Sequence, residues 1–294
     1  MSVLRSEGHP RRWRGLSSAA ALRLLRAVPM YVVLAAIMVL IIAPFFWMVS
    51  SAFKDQTAIY ASPPEWIPSV PTTQNFIDAW NMVPFGWFLV NSLKVAGLIT
   101  IGQLVTCSLA GYAFARLRFP GKEIIFGVYL SSLMVPSQVT IIPLFIVMRN
   151  LGLIDNHASL ILPGLASAFG TFLLRQFFMT VPRELEEAAI IDGCGLLGVL
   201  WQVILPLSAP ALAALAIFTF NGAWNDFFNP LIFLSSPQNL TLPAGLALLQ
   251  GQFSATSPAV MLAGVCMAVL PVLVVFMLGQ RYIVEGITMT GIKG

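Results

Sequence analysis

Residues 186–210 read "EEAAIIDGCGLLGVLWQVILPLSAP": three closely spaced acids and several small residues, set between two strongly apolar stretches. With the residues just upstream, "TVPRELEEAAIIDG" (180–193), the passage predicts a short self-contained helix. Thr180 is placed to cap it and Pro182 stands near its first position, where a missing N–H costs nothing. Glu184, Glu186 and Glu187 fall in the first turns, where the positive end of the peptide dipoles favours acids, and Gly193 sits where a helix terminates. Ala188 and Ala189 keep one flank low for a close-fitting surface, and Glu187 offers a negative charge to a basic partner. The pattern fits an ordinary solvated loop helix equally well, so its meaning depends on what surrounds it.

What surrounds it is apolar. Of 294 residues 58% are hydrophobic and 10% charged, with a mean hydropathy of +0.86, against about 25% charge in an average soluble domain. Six segments are long and charge-poor enough to cross a hydrocarbon layer of about 30 Å: 28–53, 95–115, 124–148, 158–174 continuing to about 178, 206–233 and 258–280. The expected fold is an all-α integral membrane protein of six transmembrane helices. Its parts are a leader (1–27), a six-helix membrane body (28–280) with long loops at 54–85 and 180–205, and a tail (281–294).

Orientation follows from basic residues in short loops. Arg5, Arg11, Arg12, Arg14, Arg23, Arg26, Arg116, Arg118, Lys122, Arg175, Arg183, Arg281 and Lys293 fall on one side; of the 16 Lys and Arg only Lys54, Lys94 and Arg149 fall on the other. Both termini and the 180–205 loop are therefore expected in the cytoplasm. The first apolar run is too long for a cleaved signal and lacks a small-residue cleavage site. Residues 16–27, "LSSAAALRLLRA", read as either a plain leader or a short amphipathic helix on the inner leaflet. In the 54–85 loop, Thr72 or Thr73 is placed to cap a short helix with Phe76, Ile77 and Trp80 on its apolar side. That surface suits an external partner or the bilayer interface, where Trp66, Trp80 and Trp87 belong.

The chemistry that is missing narrows function. The net charge of +4 comes from residues flanking apolar runs, not from a basic patch interleaved with aromatics, so no nucleic-acid partner is expected. Cys107, Cys194 and Cys266 are odd in number and far apart, fitting packing rather than a disulfide framework or zinc site. No G-x-x-x-x-G-K-[ST] loop is present, and "FPGKE" (119–123) lacks its first glycine and hydroxyl residue. Work driven by ATP needs another subunit, and no catalytic or metal-ligating constellation is expected. The one acid predicted inside the membrane is Asp226, which leaves little for the ionisable relay of an ion-coupled carrier.

The spacing in the opening stretch is specific. Glu187-Ala188-Ala189, three residues, Gly193, nine residues, then Val203-Ile204-Leu205-Pro206 resembles the E-A-A-x3-G-x9-I-x-L-P signature of membrane subunits of binding-protein-dependent ABC importers, with Val203 at the isoleucine position. At average residue frequencies a chance match is on the order of one in ten thousand. "SSAFK" (50–54), "NSLKVAG" (91–97), "AGYAFARLRFPGK" (110–122), "MVPSQVTIIPLF" (134–145), "AWNDF" (223–227) and the ending "GIKG" extend the resemblance over nearly the whole chain, to the second permease subunit of maltose-type carbohydrate importers.

That resemblance implies the type I importer permease fold in a bacterial inner membrane. It implies as partners a homologous second permease, an ATPase dimer that holds the ATP and Mg, an extracytoplasmic solute-binding protein and membrane lipid. This chain itself is expected to bind no cofactor and to be no enzyme. Glu187, Ala188, Ala189, Asp192 and Gly193 would form a coupling helix docked on the ATPase. Gly291, Ile292, Lys293 and Gly294 would form a tail reaching the same subunits, although the family ending more often reads G-A-V-K-G, and a frayed terminus fits as well. Ser131, Ser132, Gln138, Asn221, Trp224, Asn225 and Asp226 are candidates to line a sugar pathway or, on the alternative reading, to join neighbouring helices by polar contacts. In the maltose branch the main sugar contacts lie in the other permease. The rival functions are an ion-coupled secondary carrier and a membrane scaffold that transports nothing.

Overall fold

The computed structural model describes residues 18–251 and 257–291, with side chains for 27–248 and 257–280. The chain divides into two units, residues 1–50 and 51–294.

The first unit is built on α1 (Ser18–Ala52). Its stretch Ala27–Ala52 has a mean hydropathy of 2.8 and is apolar all round, the pattern of a helix solvated by lipid. The helix already begins at Ser18, so the boundary drawn from charge at residue 27 falls inside it, and residues 18–27 form no separate leader helix.

In the second unit, α2 (Gln74–Met82) precedes α3 (Phe85–Arg116), whose 32 residues span about 48 Å. The helix starts ten residues before the expected Val95, because Phe85 and Phe88 are fully buried and carry the apolar pattern upstream. Then come α4 (Lys122–Ser131), α5 (Ser137–Asn150), α6 (Ala158–Gly164), α7 (Ala168–Thr180) and α8 (Arg183–Ile191). The short α9 (Leu196–Val199) passes through a π turn at Leu200–Ile204 into α10 (Leu205–Leu207). The chain continues with α11 (Ala209–Trp224), α12 (Phe228–Phe233), α13 (Leu242–Gly251) and α14 (Pro258–Gly291).

α3 is the central element, packed on α7 and α11, with α14 closing on α11 and α2. The crossing is close because Gly170 of α7 has no side chain: a Cβ there would lie 2.9 Å from both Cys107 Sγ and Leu215 Cδ1. One core cluster, around Phe85, Phe88, Trp224 and Phe233, holds the α2 end; another, around Tyr112, Leu174, Phe178 and Leu200, holds the α8 end. Outward, Ile124, Val128, Ile142 and Leu278 are largely exposed. An apolar exterior around an interior that also buries polar residues such as Asn91, Ser92 and Thr100 suits lipid as solvent.

Two expected spans are sharply bent, and a third, Ala158–Thr180, is interrupted but still long and apolar enough to cross. α4 and its terminal turn meet α5 at 101° rather than running on from 124 to 148. Pro136 holds Val135 extended and has no N–H for a continuing helix. The fourth span is interrupted between Gly164 and Ala168, and α3 supplies partners to the freed carbonyls: Gln103 Nε2 donates to Gly164 O at 2.8 Å and Thr106 Oγ1 to Leu165 O, while Cys107 Sγ adds a second donor at 3.5 Å to Ser167 O, which already accepts from Thr171 N. Backbone unwound at membrane depth persists where protein satisfies it in this way. The fifth, expected over 206–233, turns by 81° at Ser208, where Pro210 opens α11, and stops at Trp224 before α12 restarts at Phe228. Among the described residues four helices are long and apolar enough to cross a membrane, or up to six if each bent pair is one span.

Candidate functional site

At one end of the bundle α8 forms a protruding hairpin with α9. Pro182, extended at φ −58° and ψ 136°, precedes the helix as its cap residue instead of occupying its first turn. Thr180 is not its cap: it ends α7, and its hydroxyl donates to Phe177 O. The helix stops at Asp192, and Gly193 takes φ +88°. Gly193 N donates to Ile190 O at 3.0 Å and Cys194 N to Ala189 O at 2.9 Å, the paired bonds of a left-handed helix stop.

The two adjacent glutamates have opposite fates. Glu187, Ala188, Asp192 and Gly193 are exposed, and Ala189 is half-buried against the core. Glu186 points inward and pairs with Arg116, the last residue of α3, Nε to Oε1 2.5 Å, with both side chains largely buried. Arg116 also donates to Val181 O in the turn between α7 and α8, so one guanidinium ties three elements together. Burial pushes the Glu186 carboxyl up, while Arg116 and then Arg183 draw it down and Glu187 raises it again. On α7, Arg175 lies 4.2 Å over the Phe126 ring and 3.3 Å from Glu123. The sequence suggested neither pairing: Arg116 reads as a topology charge, and no spacing rule ties it to a residue 70 positions on. Leu185, Ile190, Leu196, Leu197 and Trp201 are exposed around the hairpin, with Ile191 at 86%. These apolar side chains, beside the exposed Glu187 and Asp192, form a surface that can meet another apolar and basic surface.

Against the first core cluster, with Val95, Ile99, Leu160 and Phe233 in its wall, lies a cavity of about 440 Å³ lined from α3, α5, α6, α7, α11 and α12. Of the seven residues named for a pathway, Asp226 lines it, at the break after α11; its carboxylate accepts from Asn229 N and Nδ2. Ser131 and Ser132 donate to Val128 O and Tyr129 O on the exposed end of α4, and Gln138 is exposed at the start of α5 while its neighbour Ser137 faces the cavity. Asn225 Nδ2 donates to Asn221 Oδ1 at 2.8 Å, and both are exposed. Trp224 is buried, stacks on Phe220, and donates its indole N–H to Ala268 O of α14. Gln103, Thr140, Thr219 and Thr241 line the cavity without having been singled out in the sequence, because isolated hydroxyls and amides in apolar runs do not reveal which way they face. Gly291 is the last residue of α14, and Ile292, Lys293 and Gly294 lie outside the described residues.

At the opposite end, Asp155 clasps the segment before α13: its carboxylate accepts from Ser235 N and Ser236 N at 2.9 Å each and from the Ser236 hydroxyl. Those donors, the Ser236 hydroxyl foremost, hold its carboxyl well below the usual carboxylate range. In α2, Thr72 Oγ1 accepts from Gln74 N, and the buried residues are Asn75 and Ala79; Ile77 and Trp80 stay about half exposed. The amide of Asn75, donating to Ala52 O and Lys54 O, fixes that face inward.

Comparison with known proteins gives one answer. Residues 107–288 match the family described as "Binding-protein-dependent transport system inner membrane component". The chain is 35% identical over 253 residues to the sulfoquinovosyl glycerol transport system permease protein of Agrobacterium fabrum, covering 85% of this chain and 88% of that one. It is 36% identical over 255 residues to the sn-glycerol-3-phosphate transport system permease protein of Yersinia pestis, covering 84% and 91%. A bacterial ABC transporter involved in import of the acidic polysaccharide alginate has the same fold, with a TM-score of 0.78 at 22% identity over 88% of this chain and 96% of that one.

Proposed function

Because this chain belongs to the family of binding-protein-dependent transport system inner membrane components, multi-pass permease subunits of ABC importers, we propose that it forms half of the translocation pathway for a sugar or sugar-like solute and is driven by a separate ATPase through α8. The observation that carries this is the α8 hairpin: Glu187, Ala188 and Gly193 face outward while Glu186, one residue away, is locked to Arg116 at the foot of α3. A docking surface so anchored passes a displacement into α3 and, through α9 and α10, into α11.

Under this reading the α8 end is cytoplasmic, as the basic loop residues require, and the membrane is the bacterial inner membrane. A second, homologous permease completes the pathway, and an extracytoplasmic binding protein delivers the solute at the end held by Asp155. ATP and Mg sit on the ATPase, since this sequence carries no phosphate-cradling loop. Residues 1–27 and 281–294 are cytoplasmic, and Gly291 to Gly294 reach the ATPase. The sugar class is supported by the name of the sulfoquinovosyl glycerol relative.

The test is the double substitution Glu187→Lys with Gly193→Asp in the assembled transporter. The expected result is normal membrane insertion with loss of ATPase association and of uptake. Wild-type uptake by the double variant refutes the docking role; uptake that persists without the ATPase favours a secondary carrier, and intact uptake on deleting the chain favours a scaffold.

A further inference from the structure

The stretch "RFPGK" (118–122), which falls short of a phosphate loop, lies where α3 ends and α4 begins. Beside it a groove of about 290 Å³ runs between α3, α4 and the α6–α7 break, lined by Thr106, Ala110 and Phe114, by Ile125 and Tyr129, and by Ala166. Its α3 residues recur at every fourth position over about 12 Å of helix, so it is a lengthwise slot on one face. The rings of Phe114 and Tyr129 stand in its wall, 6.5 Å apart and 17° from parallel. Leu109, Ile124, Ile125 and Val128 around it are exposed, which puts the slot on the apolar exterior. A slot of this kind in lipid takes a hydrocarbon chain.

The end of the slot nearest α8 is basic. Arg116, which pairs with Glu186 of α8, marks that end, and Arg118 two residues on is exposed. Lys122 shares the α4 face of Ile125 and Tyr129, and its Nζ donates to Leu117 O at 3.2 Å, one turn beyond Phe114. The neighbouring acid, Glu123, is engaged by Arg175, and neither Arg118 nor Lys122 forms an ion pair among the described residues. Two cations without a counter-charge at the end of an apolar slot complement a phosphate that carries a hydrocarbon tail.

We propose that this groove is a binding site for an anionic phospholipid of the phosphatidylglycerol type, its phosphate held between Arg118 and Lys122 and one acyl chain laid along α3 against Phe114 and Tyr129. The inference rests on the reading above that turns the α8 end to the cytoplasm, where the phosphates of the inner leaflet meet these residues. A lipid seated there braces α4 against α3 and α7 at the foot of the α8 hairpin.

The experiment places the complete transporter in nanodiscs of phosphatidylglycerol and phosphatidylcholine in equal amounts, releases it into detergent, and counts the retained lipids by native mass spectrometry. The wild type retains phosphatidylglycerol over phosphatidylcholine about tenfold, as two cations at a membrane surface predict. Arg118→Gln with Lys122→Gln brings that preference to within about twofold of unity, while Arg149→Gln, an exposed cation near the opposite end, leaves it unchanged. Ala110→Phe fills the slot and lowers retention of both lipids about tenfold. Equal retention of the two lipids by the wild type, an unaltered preference in the double variant, or undiminished retention by Ala110→Phe overturns the proposal. If Ala110→Phe does not assemble, the double variant, whose positions lie outside both core clusters, decides alone. A photo-crosslinker in place of Ile125 reports the occupant: captured phospholipid supports the site, and captured second permease overturns it, because a protein then covers the groove. Orientation is read separately, by labelling Pro120→Cys in sealed vesicles with a membrane-impermeant maleimide. Labelling from the extracytoplasmic side alone refutes the orientation given above, whereas the lipid counts judge the site by themselves.

Discussion

Glu186 of α8 and Arg116 of α3 form a buried ion pair across 70 residues of sequence, and Glu187 beside it faces the opposite way. Removing one partner strands the other charge away from water, which costs about 3–5 kcal/mol. Glu186→Gln is therefore expected to lower the thermal midpoint of the purified protein sharply. The exchange Arg116→Glu with Glu186→Arg should recover part of that loss. In the assembled transporter, Glu186→Gln should leave ATP hydrolysis but reduce the solute moved per ATP, because α8 is no longer tied to α3. Unchanged stability and coupling would falsify the strut.

Gly193 has φ +88° with open space around its Cβ position. The cost of Gly193→Ala is thus conformational rather than steric, about 1 kcal/mol. Fraying of the last turn of α8 should follow, seen as faster amide exchange at Asp192, Gly193 and Cys194. A variant with unchanged exchange would show that the left-handed stop does not hold the turn.

The break between α6 and α7 depends on α3. Gln103→Leu strips Gly164 O of its donor and Thr219 of its acceptor, and Thr106→Val does the same to Leu165 O. At about 1–3 kcal/mol for each buried group left unpaired, Gln103→Leu should be the more damaging by thermal denaturation. Equal midpoints for both variants and the wild type would mean that the broken span is satisfied in another way.

Asp155 sets a pH dependence at the far end. Its folded carboxyl lies below its unfolded value, so the stability it contributes is present above about pH 4 and is lost as pH falls through that value toward the folded one. Acidification in that range should lower the melting midpoint of the wild type more than that of Asp155→Asn. Parallel midpoint curves for the two would remove Asp155 as the cause.

Proline alone does not place a break: Pro29, Pro44, Pro143, Pro163 and Pro271 lie inside helices, as spans drawn through them from charge-poor runs expect. Pro136 stands at a sharp bend, and Pro210 opens the helix after another. Sequence shows the missing N–H; whether neighbours satisfy the freed carbonyl is a property of packing. In the same way, Trp224 and Asp226 are two residues apart, but α11 ends at Trp224 and Asp226 falls in the break before α12. One ends in the contact with α14 and the other in the cavity.

The sequence by itself determined that the chain lives in a membrane, how many apolar segments it has, and which loop carries the importer signature, because composition and fixed spacing are local properties that survive without coordinates. Only the tertiary structure decided which of two adjacent glutamates turns inward, where the spans break, and which polar residues share a cavity. Those outcomes depend on a partner arriving from a distant helix: Arg116 for Glu186, Gln103 for the carbonyl of Gly164, α14 for Trp224.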